Sequence, residues 1–169
     1  MSDRLWFMDV DGVMAPFSHG GSFGDWERSE HPRYELWLSA TQAERIQTIL
    51  SETGTELIWV STWAHDAAEY VESFLGWPTY EYAPLPHARA SGGGLGPSGR
   101  WWKLEAVEGF LAARRPARFV WSDDDHPWHR EAVRSSLTGF EAQGLLQVPD
   151  PMVGLTEKEL DHAHEHLSR

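Results

Sequence analysis

Two aspartates with one residue between them, Asp9-Val10-Asp11, stand where the apolar run Leu5-Trp6-Phe7-Met8 ends, and Gly12-Val13 follows. Residues i and i+2 of a strand point to one side, so an extended run delivers both carboxylates to the same place. In open α/β sheets ligands gather beyond the carboxyl ends of strands, and Gly12 allows the chain to turn away sharply there. An Asp-Gly turn closing a hairpin is the competing reading of these five residues alone. Three further polar groups favour the first reading. Ser61-Thr62 follows the run Glu56-Leu57-Ile58-Trp59-Val60, Asp123-Asp124-Asp125 follows Ala117-Arg118-Phe119-Val120-Trp121 and Ser122, and Lys103 opens an intervening helical pattern.

These residue types in this arrangement suit phosphoryl transfer. Two carboxylates about 4 Å apart repel by roughly 4 kcal/mol at an effective dielectric of 20, so a cluster of them takes up protons or a hard cation. All-oxygen donors in a chain without cysteine favour Mg²⁺, with Asp9, Asp11, Asp123 and Asp124 as its candidate ligands. Asp124 is placed on the metal, and Asp123 supports it or serves as an alternate ligand. Lys103, a hydroxyl of the Ser61-Thr62 pair, with Ser61 the better fit to the strand register, and nearby backbone N–H groups would orient the outer phosphate oxygens. Asp9 is then the nucleophile, giving an aspartyl-phosphate. Asp11 is suited to protonate the leaving oxygen and later to deprotonate the attacking water.

The elements that must position these groups alternate. Leu5–Met8 reads as a first strand, and residues 14–40, punctuated by Pro16, Gly20, Gly21, Gly24 and Pro32, as a flap-like excursion with a short hairpin. Thr41 is expected to cap a helix, with Glu44 completing a capping box and Ile46, Ile49 and Leu50 forming its buried stripe, to an end near Gly54. Residues 56–60 have the short apolar run of a buried parallel strand. Helical spacing covers Ala64–Leu75, Trp102–Ala113 and Ala132–Leu137, and a strand is expected over Leu145–Val148. Thr156–Leu167 closes the chain as a helix with a Thr156/Glu159 capping box. Residues 79–100 are mixed, and Ser91–Gly99 reads as a glycine-rich loop rather than a phosphate cradle, because no Lys-Ser/Thr pair ends it. The alternation implies a doubly wound, three-layer α/β fold with a mainly parallel central sheet, and one domain over 1–169.

Composition bounds the partners. The 169 residues carry 14 Lys plus Arg against 26 Asp plus Glu, a formal charge of −12, which opposes broad capture of a polyanion. Any contact with nucleic acid is therefore local. Ten tryptophans are unusual for this length, and packing is the first reading for each, although Trp63 and Trp128 fall near the expected mouth of the site. The absence of cysteine suits a reducing compartment. With no leader-like start and no apolar stretch long enough to cross a bilayer, the expectation is a cytoplasmic protein without membrane contact.

Taken in order, Asp9-Val10-Asp11-Gly12-Val13, the strand ending in Ser61, Lys103 and Asp123-Asp124 resemble the four motifs of the haloacid dehalogenase-like (HAD) phosphatase superfamily. More narrowly, Trp59-Val60-Ser61-Thr62-Trp63, Trp102-Lys103, Trp121-Ser122-Asp123-Asp124-Asp125 and the tail Asp150-Pro151 with Gly154-Leu155-Thr156 resemble the HAD domain of Swiss Army Knife RNA repair proteins. The resemblance implies a Rossmannoid fold, a Mg²⁺-dependent phosphatase and, by analogy with Asp-Asp members, Asp124 as the preferred metal ligand. Many such enzymes close a separate cap over the site. Neither inter-motif gap here holds one, so the implied site is open and admits the phosphorylated end of RNA or DNA, delivered where necessary by a repair partner protein. A small-metabolite or nucleotide phosphatase, and a non-catalytic module that binds phosphorylated ends, are the alternatives. His162, His164 and His166 read as solvated helix surface rather than a metal pair, and His65, His126 and His129 stay outside the catalytic set.

Overall fold

A computed structural model describes residues 2–29, 35–86, 94–141 and 143–169. Five strands form one parallel sheet: β1 (Arg4–Met8), β4 (Glu56–Trp59), β5 (Glu81–Tyr82), β6 (Arg118–Ser122) and β7 (Gly144–Gln147), in the order β5-β4-β1-β6-β7. Two more, β2 (Trp26–Ser29) and β3 (Leu36–Ser39), pair antiparallel as a separate hairpin within the 14–40 excursion. Chain order runs from β1 outward through β4 and β5, then returns to the other side of β1 for β6 and β7. The reversal places a topological switch point at the carboxyl ends of β1 and β6, the usual crevice of an open α/β sheet.

Strand parity divides the core into two layers. Trp6, Met8, Leu57, Trp59 and Val120 face one cluster with Ile46, Ile49 and Leu50 of α1 (Ala40–Thr53) and Leu160, Ala163 and Leu167 of α5 (Glu157–Leu167). Leu5, Phe7, Ile58, Val60, Phe119 and Trp121 face the other, with Leu104, Val107 and Leu111 of α3 (Trp102–Arg114) and Val133 of α4 (His126–Ser136). Helices thus cover both faces of the sheet, as a parallel sheet with apolar residues on both sides requires. A relay on the first of these faces ties β1, β6 and β7 to α5: Trp6 Nε1 donates to Ser122 Oγ at 3.0 Å, that hydroxyl to Gln147 Oε1 at 2.8 Å, and Gln147 Nε2 to the Glu159 carbonyl at 2.6 Å.

Several boundaries differ from expectation for identifiable reasons. The cap of α1 is Ser39, whose hydroxyl accepts from Gln42 N at 3.1 Å; Thr41 instead turns its hydroxyl and its backbone N–H to Asp25 Oδ2, at 2.9 and 2.8 Å. Asp25 also accepts from the Ser39 hydroxyl, so the hairpin region completes the helix start. The helical pattern over 64–75 winds as a wider π turn over Ala68–Glu72 before a single α turn, α2 (Ser73–Leu75). Glu72 is carried inward there, and its Oε1 accepts from Trp59 Nε1 at 2.7 Å and Tyr80 N at 2.9 Å. Helix α4 begins six residues before the expected 132, because Pro127 suits a first helical turn. The short edge strand β5 lay in the stretch read only as mixed, and β7 lies one residue earlier than expected. Of the glycine-rich stretch, Ser91–Gly93 fall outside the described residues; 94–101 form a turn in which Gly96 N donates to the Arg100 carbonyl at 2.7 Å and Leu95 bridges Trp101. The capping box at Thr156 and Glu159 is present. Among the described residues no helix is long and apolar enough to cross a membrane.

Candidate active site

Register brings the first acids together. Met8 of β1 pairs with Ser122 of β6. Asp9 and Asp123, one residue further along each strand, therefore stand side by side on the face already occupied by Phe7 and Trp121, the face that α3 covers. Lys103 lies in the first turn of α3 and is 2% exposed. Its ammonium bridges the two carboxylates, binding Asp9 Oδ2 and lying 2.9 Å from Asp123 Oδ2, with Asp125 Oδ2 at 3.7 Å. Asp123 is fully buried and Asp9 nearly so; Val10 N donates to Asp9 Oδ1 at 2.6 Å and Asp125 N to Asp123 Oδ1 at 3.0 Å.

Carboxylate oxygens of Asp9, Asp123 and Asp124 all lie within 4.8 Å of one another, among the described residues the one such trio of potential metal ligands. The donor set is all oxygen and anionic, which fits a hard divalent cation. The electrostatics show the same need. Asp124 is pushed up to about 6, first by burial and then by the charges of Asp9 and Asp125. Complete burial pushes Asp123 upward, opposed chiefly by Lys103. Burial works against the Lys103 charge, yet Asp9 and Asp123 outweigh it and hold the ammonium well above its ordinary value. One cation among five aspartates leaves an excess of negative charge that a metal would relieve.

Asp11 reaches the site differently from expectation. The strand ends at Met8, and residues 10–15 form a compact turn in which the Val10 carbonyl accepts from Met14 N and Ala15 N, both at 2.9 Å. Asp11 thus stands outside the trio, held from the opposite side by Trp63, whose Nε1 donates to Asp11 Oδ2 at 2.9 Å. Burial, then the Asp9 charge, raises Asp11 to about 6, with Trp63 and Lys103 pulling back. Gly12, at φ +69°, packs against the same cluster: a Cβ there would stand 2.6 Å from Asp124 Cγ. The glycine serves both a left-handed turn and the close approach of the Asp124 carboxylate.

The hydroxyl pair divides. Ser61 is fully buried and its Oγ accepts from Trp63 N at 3.4 Å, whereas Thr62 is exposed and lines the cleft. That cleft has a volume of about 510 Å³ and is walled by Asp9, Asp11, Phe17, Thr62, Lys103, Asp124, Asp125, Trp128 and His129. Two contributors lie outside the set of residues expected to do the chemistry. Trp63, expected near the mouth, is buried beside Asp11, 52 positions away in sequence, beyond any local pattern. His129 lines the cleft and stacks on Trp101, ring centroids 4.2 Å apart at 12°. Of the terminal histidines, His162 is exposed, whereas His164 and His166 are half-buried rather than solvated: His164 faces Glu52 at 3.0 Å and His166 the Gln143 carbonyl at 2.9 Å.

Residues 5–160 match the family model described as the HAD domain in Swiss Army Knife RNA repair proteins. No curated protein matches the chain.

Proposed function

The chain belongs to the family of HAD domains in Swiss Army Knife RNA repair proteins, and from that membership and its site we propose a Mg²⁺-dependent phosphohydrolase that removes a terminal phosphate from nucleic acid during RNA repair. The observation that carries the reading is the Lys103 ammonium held between Asp9 and Asp123 at adjacent strand ends, with Asp124 completing a carboxylate trio and Asp11 braced opposite by Trp63.

In this reading Asp9 is the nucleophile. Its carboxylate oxygen forms a bond to phosphorus as the bond from phosphorus to the leaving oxygen breaks, and Asp11 gives the leaving oxygen its proton. Asp11 then takes a proton from water; the water oxygen attacks the aspartyl-phosphate, and Asp9 is released with free phosphate. Thr62 presents a hydroxyl to the phosphate from the cleft wall, Ser61 supports that loop from beneath, and Lys103 offsets charge on the phosphoryl oxygens. Asp9, Asp123, Asp124 and the Asp11 segment would hold Mg²⁺, which supplies charge neutralisation at the phosphate. Residues 1–169 act as one domain with 14–40 as its flap, and Phe17 of that flap lines the open cleft. With a charge of −12, delivery of a polyanion falls to a partner protein or domain.

The test is phosphate release from 3′- and 5′-phosphorylated oligonucleotides, mononucleotides and an aryl phosphate, with and without Mg²⁺. The wild type is expected to turn over at least one phosphorylated oligonucleotide only with metal present, and Asp9→Asn to abolish turnover while still binding it. An Asp9→Asn variant indistinguishable from wild type would remove Asp9 from the chemistry.

A further inference from the structure

Nine of the ten tryptophans are buried or half-buried, as packing predicts; Trp128 is 84% exposed. It sits in the first turn of α4, three residues after Asp125, and its backbone N–H donates to the Asp125 carbonyl at 3.1 Å. The acidic strand end and the indole are thus joined through one helical turn, and both line the same cleft. Phe17, 53% exposed, lines it too, contributed by the 14–40 segment. A phosphate at the carboxylate cluster thus has flat apolar surfaces within the same 510 Å³ space, a volume suited to a small ligand.

Charge excludes the usual alternative means of holding a nucleic-acid strand. Among the described residues Lys103 is the only lysine or arginine that lines the cleft, and it is already committed to Asp9 and Asp123, while Asp11, Asp124 and Asp125 repel further phosphates. Among the described residues no wall of the cleft offers a lysine or arginine for a second phosphate, which favours holding what lies beyond the reacting phosphate without charge. Aromatic faces do this for bases, independent of sequence.

Resting on the phosphatase reading above, we propose that Trp128, with Phe17, stacks on the unpaired base of the nucleotide that carries the reacting phosphate, so that the site recognises a single-stranded terminal nucleotide rather than a stretch of strand. Trp128 is then a specificity-determining residue. Oligonucleotide length beyond the end, and base identity, matter little.

The test compares KM for a single-stranded oligonucleotide whose terminal phosphorylated nucleotide bears a base with KM for its abasic counterpart. Wild type is expected to prefer the base-bearing end, and Trp128→Ala to raise that KM about tenfold and erase the preference, with Trp128→Phe retaining most of it. An equal base preference in wild type and Trp128→Ala overturns the proposal. A second measurement does not require turnover: fluorescence of a 2-aminopurine terminal nucleotide titrated with Asp9→Asn and with Asp9→Asn/Trp128→Ala. Quenching by the first and not the second supports stacking even if no phosphate is ever released, in which case the phosphatase reading alone fails. Turnover without any difference in quenching overturns the stacking alone.

Discussion

Gly12 carries the sharpest constraint at the scale of single residues. Its φ of +69° is costly for an L side chain by about 1 kcal/mol, and the missing Cβ leaves room for Asp124. Gly12→Ala is therefore expected to push Asp124 out of the trio, lowering stability modestly and blunting the rise in melting temperature expected of the wild type with Mg²⁺. Thermal melts with and without Mg²⁺ check this; a variant with the full metal-dependent rise would show that the close approach has no bearing on the site. Asp9, Asp123 and Asp124 were legible in the sequence because they follow the ends of apolar strand runs, and Lys103 because it opens a helical pattern. Trp63 was not, since its contact with Asp11 depends on how a loop after β4 folds over the turn after β1.

Helix starts record how the elements were assembled. The parallel sheet was readable from its short continuous apolar runs, whereas caps were readable only where the signal was local. Thr156 and Glu159 form their box within one turn. At α1 the local pattern pointed to Thr41, but Asp25, from the segment before the β2–β3 hairpin, draws that side chain away and leaves Ser39 as the cap. Ser39→Ala is expected to cost about 1 kcal/mol in urea unfolding and Thr41→Ala less; the reverse ranking would restore Thr41 as the cap. Similarly, α4 escaped notice at its start because His126 and Val133 are the only residues it fully buries, too sparse a stripe to show a helical period. The π turn was hidden because Glu72 is drawn inward by the Trp59 indole, a contact between elements.

For the whole molecule, acidity and buried titrating groups set the response to pH. His126 packs edge-on against Trp121, centroids 4.3 Å apart, and burial lowers it to about 4, offset in part by the Trp121 carbonyl. Below its ordinary value near 6.5 the unfolded chain takes a proton that the folded chain refuses. The stability this neutral ring contributes is thus complete above about 6.5, declines as pH falls, and is lost by about 4, a change of about 3 kcal/mol. The buried carboxylates respond in the opposite sense, so the difference between wild type and His126→Phe isolates the histidine. The wild type is expected to lose more stability than the variant between pH 6.5 and 4; parallel losses would show that His126 does not govern acid unfolding.

Attack of Asp9 on phosphorus is tested most directly by acid quenching during turnover of an oligonucleotide carrying a radiolabelled terminal phosphate, followed by peptide mapping. A hydroxylamine-labile label on the peptide containing Asp9, absent in Asp9→Asn, is the predicted result. Steady release of phosphate with no label on the protein at any quench time, under conditions where hydrolysis of an aspartyl-phosphate is slowed, would contradict it.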